Sequence, residues 1–197
     1  MAYHIYDTEA LVLDERPSGE ANKIFYLLTP DLGLVVAKAQ GIRLLKSKLR
    51  FQIAKFSRVR ASLVRGKEVW RLIGVERTEE METLVAETNK RELVAKIFSL
   101  LTHYIHGEGE QRALFVDLNS ALVFLGGVNS EDSRSLYGWE LAVALRTLHF
   151  LGYVKGEPKL LPIIVFKDWN TAVLSLALSC EGEIIKAVDS AGHASHF

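Results

Sequence analysis

One cysteine, two methionines and four prolines in 197 residues set the first limits on this chain. A lone Cys180 cannot close an intrachain disulfide, and it leaves no cysteine set for a structural zinc site. No apolar run approaches the roughly 20 residues that span a bilayer, so no membrane association is expected. The opening MAYHIYDTEALVLDE lacks a basic segment followed by an uninterrupted apolar stretch; no secretory signal is expected, and the expected compartment is the cytoplasm. GxSxG, GxxxxGK(S/T) and HExxH are all missing, so the expectation is a protein that is not an enzyme and uses no cofactor. Net charge is missing too, since 24 Lys and Arg balance 24 Asp and Glu.

That zero conceals a strong asymmetry. Between residues 38 and 77 stand twelve basic residues against two acidic ones, Glu68 and Glu76, a net charge of +10. Because the whole chain is neutral, everything outside that window carries −10. A patch of one sign focuses potential and attracts a polyanion, which the overall balance would never suggest. The densest stretch is GIRLLKSKLR, residues 41–50.

A hydrophobic fraction of 49% with 24% charged residues is that of a globular chain with real cores. The first eighty residues read as strands between turns: Thr8–Leu13, Asn22–Thr29, Leu34–Ala39, Phe56–Arg65 and Glu68–Val75. The fourth alternates cleanly, with Val59, Ala61 and Leu63 on one face and Arg58, Arg60 and Ser62 on the other. Five short strands with an insertion between the third and fourth predict a five-stranded OB-fold barrel, and the insertion is the basic stretch. After Arg77 the period changes. Leu93, Ile97, Leu101 and Ile105 step by four; Leu114, Leu118, Leu122 and Leu125 do likewise; Tyr137, Leu141, Leu145 and Leu148 share a third face. GEGE at 107–110 breaks the first helix, and SEDS offers caps for the third. LLPIIVFKDW, residues 160–169, reads as an extended strand, and the last fifteen residues as a short helix. The expected class is α+β: an OB-fold over 1–78, then a mostly helical domain over 79–197.

Phosphate contacts require Lys and Arg that release condensed counterions, and bases require planar groups for stacking. Lys38, Arg43, Lys46, Lys48 and Arg50 are the leading phosphate ligands, with Arg58, Arg60 and Arg71 extending the track across the sheet. The opposing possibility is a solvated basic face paired with acidic residues of the helical half. Phe25, Tyr26, Phe51, Phe56 and Trp70 are available for stacking, but strands bury aromatics routinely and the core is the expected fate of each. His103 with His106 and His193 with His196 have the spacing of one helical turn, yet a closed metal site needs four ligands, so no metal is expected. The carboxylates of TEEMETLVAE sit at a helix start, where they complement the dipole. Barrel charge alone leaves three classes open: a DNA binder, an RNA-binding accessory factor, and an adaptor for an acidic protein.

The N-terminal stretch also resembles the RecO family of recombination mediators. The resemblance rests on Gly19-Glu20-Ala21, Thr29, Gly33, and the run Lys38, Gly41, Arg43, Lys46-Ser47, Leu49-Arg50 leading to Phe56. It implies an OB-fold joined to a helical domain, often with a zinc module near the C-terminal end. It further implies a protein that binds single- and double-stranded DNA, anneals strands coated with single-strand binding protein, and works with RecR to help load RecA. The helical domain is then expected to receive the acidic tail of single-strand binding protein, with Arg112, Arg134 and Arg146 as rim cations. One departure stands out. After Leu151-Gly152-Tyr153, where members carry paired cysteines, this chain has EPKLLPIIVFKDW, so a short metal-free hairpin or helix is expected to replace the zinc module.

Overall fold

A computed structural model describes residues 4–67, 69–78 and 81–194. The chain forms two compact units: Met1–Glu82 with Ile105–Phe115, and Thr83–Tyr104 with Val116–Phe197.

The first unit contains a closed barrel of five strands: β1 (Ile5–Ser18), β2 (Asn22–Thr29), β3 (Gly33–Ala39), β4 (Arg58–Arg65) and β5 (Trp70–Thr78). Around the barrel the order is β1-β2-β3-β5-β4, antiparallel except for β3 against β5. This is the expected OB-fold. Closure depends on β1, which is longer than its apolar stretch suggests. Residues 5–11 pair with β4, residues 11–18 pair with β2, and the register slips between Val12 and Asp14. At that bulge the strand bends enough to serve two neighbours. Inward-facing residues alternate with outward ones as the pleat requires: Val35, Ala37 and Ala39 point in, while Lys38 is half-exposed.

Phe56 departs from the expected strand. Its φ is +66°, the only left-handed non-glycine backbone among the described residues. β4 therefore starts at Arg58, because Phe56 N–H donates to the Val12 carbonyl (2.9 Å) and Val12 N–H to the Ser57 carbonyl (2.9 Å), turning the chain onto the β1 bulge. A bulky residue held at positive φ costs on the order of 1 kcal/mol or more, and the surrounding bonds must supply it.

An unexpected segment completes this unit. Gly33 bridges to Glu108, Gly109 N–H donates to the Leu32 carbonyl (3.2 Å), and Gln111 N–H to the Pro30 carbonyl (2.8 Å). Glu108 accepts from the Trp70 indole (2.8 Å) and pairs with Arg65 (3.2 Å), while Arg112 pairs with Asp31. What the sequence presents as a helix-breaking GEGE is an acidic strap fastened to the barrel.

The second unit is helical: α1 (Glu82–Ala86), α2 (Thr88–Tyr104), α3 (Arg112–Gly127), α4 (Ser133–Phe150), α5 (Leu161–Val165), α6 (Thr171–Ser179) and α7 (Glu181–Ala194). α1 begins at Glu82, where the first stretch of the first unit ends, and α3 begins in the strap. As the SEDS signal predicts, Asp132 caps α4, its carboxylate accepting from Ser135 N–H at 3.0 Å. α4 packs against α2, α5, α6 and α7, and buries Trp139 completely.

The expected strand over 160–169 is not there. Pro162 lies in the first turn of α5, where no intrahelical N–H is required, and Ile163 and Ile164 are both buried. Asn170 then caps α6 by accepting from Ala172 and Val173 N–H. A short apolar run carries no periodicity by which strand and helix can be told apart. No hairpin replaces the zinc module: three helices occupy residues 161–194.

Candidate nucleic-acid interface

The basic stretch lies in the loop from Gln40 to Ser57, between β3 and β4. Its position is fixed first by backbone bonds. Gly41 turns with φ +64°, and its N–H donates to the Asn22 side-chain oxygen at 2.9 Å. Arg43 N–H donates to the Ala21 carbonyl (3.0 Å) and its guanidinium to the Gly19 carbonyl (3.1 Å), tying the loop to the β1–β2 turn. Apolar residues fix it next. Ile42 and Ile53 are buried within the barrel core, and Leu49 packs against that core. Fully burying one such side chain is worth about 1.5–3 kcal/mol, so this loop is anchored at three points along its length. Ordinary surface loops have no such plugs.

Ile42, Leu49 and Ile53 turn inward, and the intervening cations turn out. Arg43, Lys46, Lys48 and Arg50 are all exposed, the last two on a 3-10 turn, Lys48–Phe51. Among the described residues none of the four forms an ion pair. Lys38 and Arg71 are brought together by the parallel pairing of β3 with β5, where they are register partners. Arg71 donates to the neutral Gln40 side chain at 3.3 Å, which leaves its charge uncompensated.

Arg58 and Arg60 stand in a different setting. Arg58 pairs with Glu9 at 2.9 Å. Arg60 lies between Glu9 on β1 and Glu76 on β5 in the sheet register. Opposite charges directly across neighbouring strands attract one another, although Arg60 itself forms no ion pair among the described residues. Other members of the basic window are also matched: Lys55 with Asp14, Arg65 with Glu108, Arg77 with Glu82. Within the basic window Lys55, Arg58, Arg65 and Arg77 are thus ion-paired, whereas Lys38, Arg43, Lys46, Lys48, Arg50 and Arg71 on the loop and its β3–β5 flank form no ion pair among the described residues, nor do Arg60 and Lys67.

Aromatics separate just as sharply. Phe25 and Trp70 are buried in the barrel core, and Phe56 is half-buried with the Lys55 ammonium 5.1 Å from its ring centre. Phe51 is the correction. Expected in the core, its ring is 72% exposed, with the Arg50 guanidinium 5.4 Å from its centre. Leu49 has the inward position of that turn, and a single 3-10 turn is too short to reveal which residue faces in.

Of the proposed rim cations only Arg134 remains exposed and unpaired among the described residues; Arg112 is held by Asp31. Arg146 is only 4% exposed. It pairs with Asp117, donates to the carbonyls of Ile163 (3.3 Å) and Phe166 (2.7 Å), and lies 4.9 Å from the Trp169 ring centre. Arg146 is a core residue of the helical unit.

Among the described residues no three His, Cys, Asp or Glu side chains cluster to hold a metal. α2 ends at Tyr104, so His106 lies beyond the helix that was to align it with His103; the side chains of His193 and His196 lie outside the described residues. The zinc module implied by the family resemblance therefore finds no donor set in the described segment after Tyr153. No helix among the described residues is long and apolar enough to cross a membrane.

Comparison with known proteins agrees with this barrel and loop. Residues 1–80 match the family model described as Recombination protein O N terminal. A DNA repair protein RecO from Dehalococcoides mccartyi is 30% identical over 134 residues, covering 68% of this chain and 53% of that protein. The RecO of Pelotomaculum thermopropionicum is 32% identical over 144 residues, covering 72% and 55%. That of Synechococcus elongatus is 37% identical over 83 residues, covering 42% and 29%. The chain spans about half the length of the curated relatives it matches. The matched segment coincides with the closed barrel and its anchored basic loop, so residues 1–80 of this chain belong to the RecO family, whose relatives above are DNA repair proteins.

Proposed function

We propose that this chain is a recombination mediator that holds DNA strands by their phosphates, through the loop cations Arg43, Lys46, Lys48 and Arg50 and the flanking Lys38 and Arg71. The observation that carries the reading is that these six cations lack carboxylate partners among the described residues, while four cations elsewhere in the basic window have one. A cation already paired gains little from a phosphate; an unpaired one releases the phosphate's condensed counterion. Single and double strands both present such phosphates, and a surface that holds two strands raises their local concentration, which promotes annealing. No covalent step is involved. Cooperation with RecR, docking of the single-strand binding protein tail, indirect service to RecA and a place at the nucleoid belong to the same reading, supported by family membership.

The test is the affinity of the full chain for a single-stranded oligodeoxynucleotide across a salt series. Each phosphate neutralised on a single strand contributes a slope of about −0.7 in log affinity against log salt. Replacing Lys46, Lys48 and Arg50 together by Ala should flatten that slope by about 2 units, with little dependence on base sequence. Lys55→Ala with Arg58→Ala should leave it nearly unchanged. An unaltered slope in a folded triple variant overturns the assignment, and tighter binding of RNA of the same sequence moves the partner from DNA to RNA.

A further inference from the structure

Ile42, Leu49 and Ile53 of the basic loop plug the barrel, while three large apolar side chains are exposed: Leu44 is 44% exposed, Leu45 90% and Phe51 72%. Phe51 is the largest, and leaving it in water forgoes a stabilisation that its neighbours Ile42 and Ile53 obtain. Nor is it a loose ring on a loose loop. Gln52 N–H donates to the Leu49 carbonyl at 3.1 Å, and the Arg77 guanidinium donates to the Phe51 carbonyl at 3.4 Å. The backbone is held while the ring is presented. Beside it stands Arg50, with its guanidinium 5.4 Å from the ring centre, and the exposed Lys48 and Lys46 lie three and five residues upstream in the same loop.

An exposed aromatic ring set among unpaired cations suits a ligand with a planar apolar face and a negative backbone. An unstacked nucleobase on its phosphodiester has both; a duplex offers the phosphates while its bases remain stacked inside. We infer that Phe51 is a stacking platform for one unpaired base, so that the loop distinguishes single strands from duplex. This rests on the phosphate-binding reading above and adds to it the form of nucleic acid preferred. Leu45, six residues upstream, is a second apolar side chain of the same loop that is almost fully exposed.

Three ligands of equal length separate the contributions: a base-bearing single strand, the same backbone without bases, and the duplex. With full-length Phe51→Ala, affinity for the base-bearing strand should fall about 5- to 150-fold, the contribution of one stacked base. Affinity for the abasic strand and the duplex should change less than about twofold, and the salt slope should stay as in wild type. Phe51→Tyr should bind like wild type, and neither variant should melt earlier, because the ring is mostly in water. Equal weakening on all three ligands overturns the inference, since phosphate contacts alone would then be affected. If Phe51→Ala binds the base-bearing strand like wild type while the triple cation variant does not, the stacking role is wrong and the phosphate reading stands. If wild type binds none of the ligands, both fall together.

Discussion

Gly33 and Gly109 are in backbone contact: a Cβ placed on Gly33 would overlap the Gly109 carbonyl oxygen. Gly33 also has φ +68°, so two separate demands meet at one residue. The strap carrying Gly109 comes close enough to bridge with the barrel, through Glu108, only because β3 begins without a side chain. Gly33→Ala should therefore destabilise the protein by about 1–3 kcal/mol, the left-handed strain plus displacement of the strap. Gly19 is the control. It has φ +66° but open space around it, so Gly19→Ala should show the conformational cost alone, about 1 kcal/mol. Urea unfolding of the two variants measures the difference; equal losses would mean the strap yields freely.

Packing of the loop should matter to binding as much as its charge does. Ile42 is 2% exposed and carries no charge, yet it anchors the turn on which Arg43 stands. Ile42→Ala should cost about 2–5 kcal/mol and weaken single-strand binding, although every cation is retained. Ile42→Val should cost about 0.5–1.5 kcal/mol and bind like wild type. Binding titrations well below each variant's melting temperature check this. Unchanged affinity in Ile42→Ala would show that the cations need no anchoring.

Asp14 links the β1 bulge to Lys55 at 2.9 Å and to Arg16 at 3.3 Å. Partial burial pushes its carboxyl up, but the Lys55 ammonium, with help from Arg16, outweighs that and holds it below the usual carboxylate range. Folding therefore favours the ionised form. The resulting stability is present above the unfolded value of about 3.9 and is lost as pH falls through the lower folded value. Asp14→Asn should be less stable than wild type at pH 7 by up to about 1 kcal/mol, with the gap closing as pH falls from about 4 toward 2. A gap that stays constant through that range would assign the effect to packing.

Arg146 and Asp117 should behave in the opposite sense. Burial pushes the Asp117 carboxyl above its ordinary value, and the Arg146 guanidinium and Trp169 indole pull back against it. Arg146→Met removes the main restraint and leaves a buried carboxylate, at a cost of about 3–5 kcal/mol at neutral pH. That carboxyl, its folded value raised further, regains stability by taking up a proton, so the loss should shrink as pH falls from 7 to 5. Asp117→Asn should cost less, because Arg146 keeps the carbonyls of Ile163 and Phe166 and the face of Trp169. Thermal melts at pH 5, 6 and 7 decide; a loss independent of pH would locate the damage in packing.

Five strands, their alternation and the concentration of positive charge between the third and fourth were legible in the amino-acid order, because each depends on residues near one another in the chain. The helix starting at Ser133 was legible for the same reason, its cap lying one residue upstream. Other features depended on partners distant in sequence. Whether a cation is paired is settled by which strand lies alongside: Arg58 meets Glu9 only when β1 closes on β4, while Lys38 meets Arg71 only across β3 and β5. Whether LLPIIV becomes strand or helix is settled by what buries Ile163 and Ile164, and GEGE becomes a strap because Gly33 leaves room for it. Local propensity and period determined the elements and the charge they carry. Which side chains face inward, and which charges remain unpaired, was decided by tertiary contact alone, since burial and ion pairing are properties of neighbours in space.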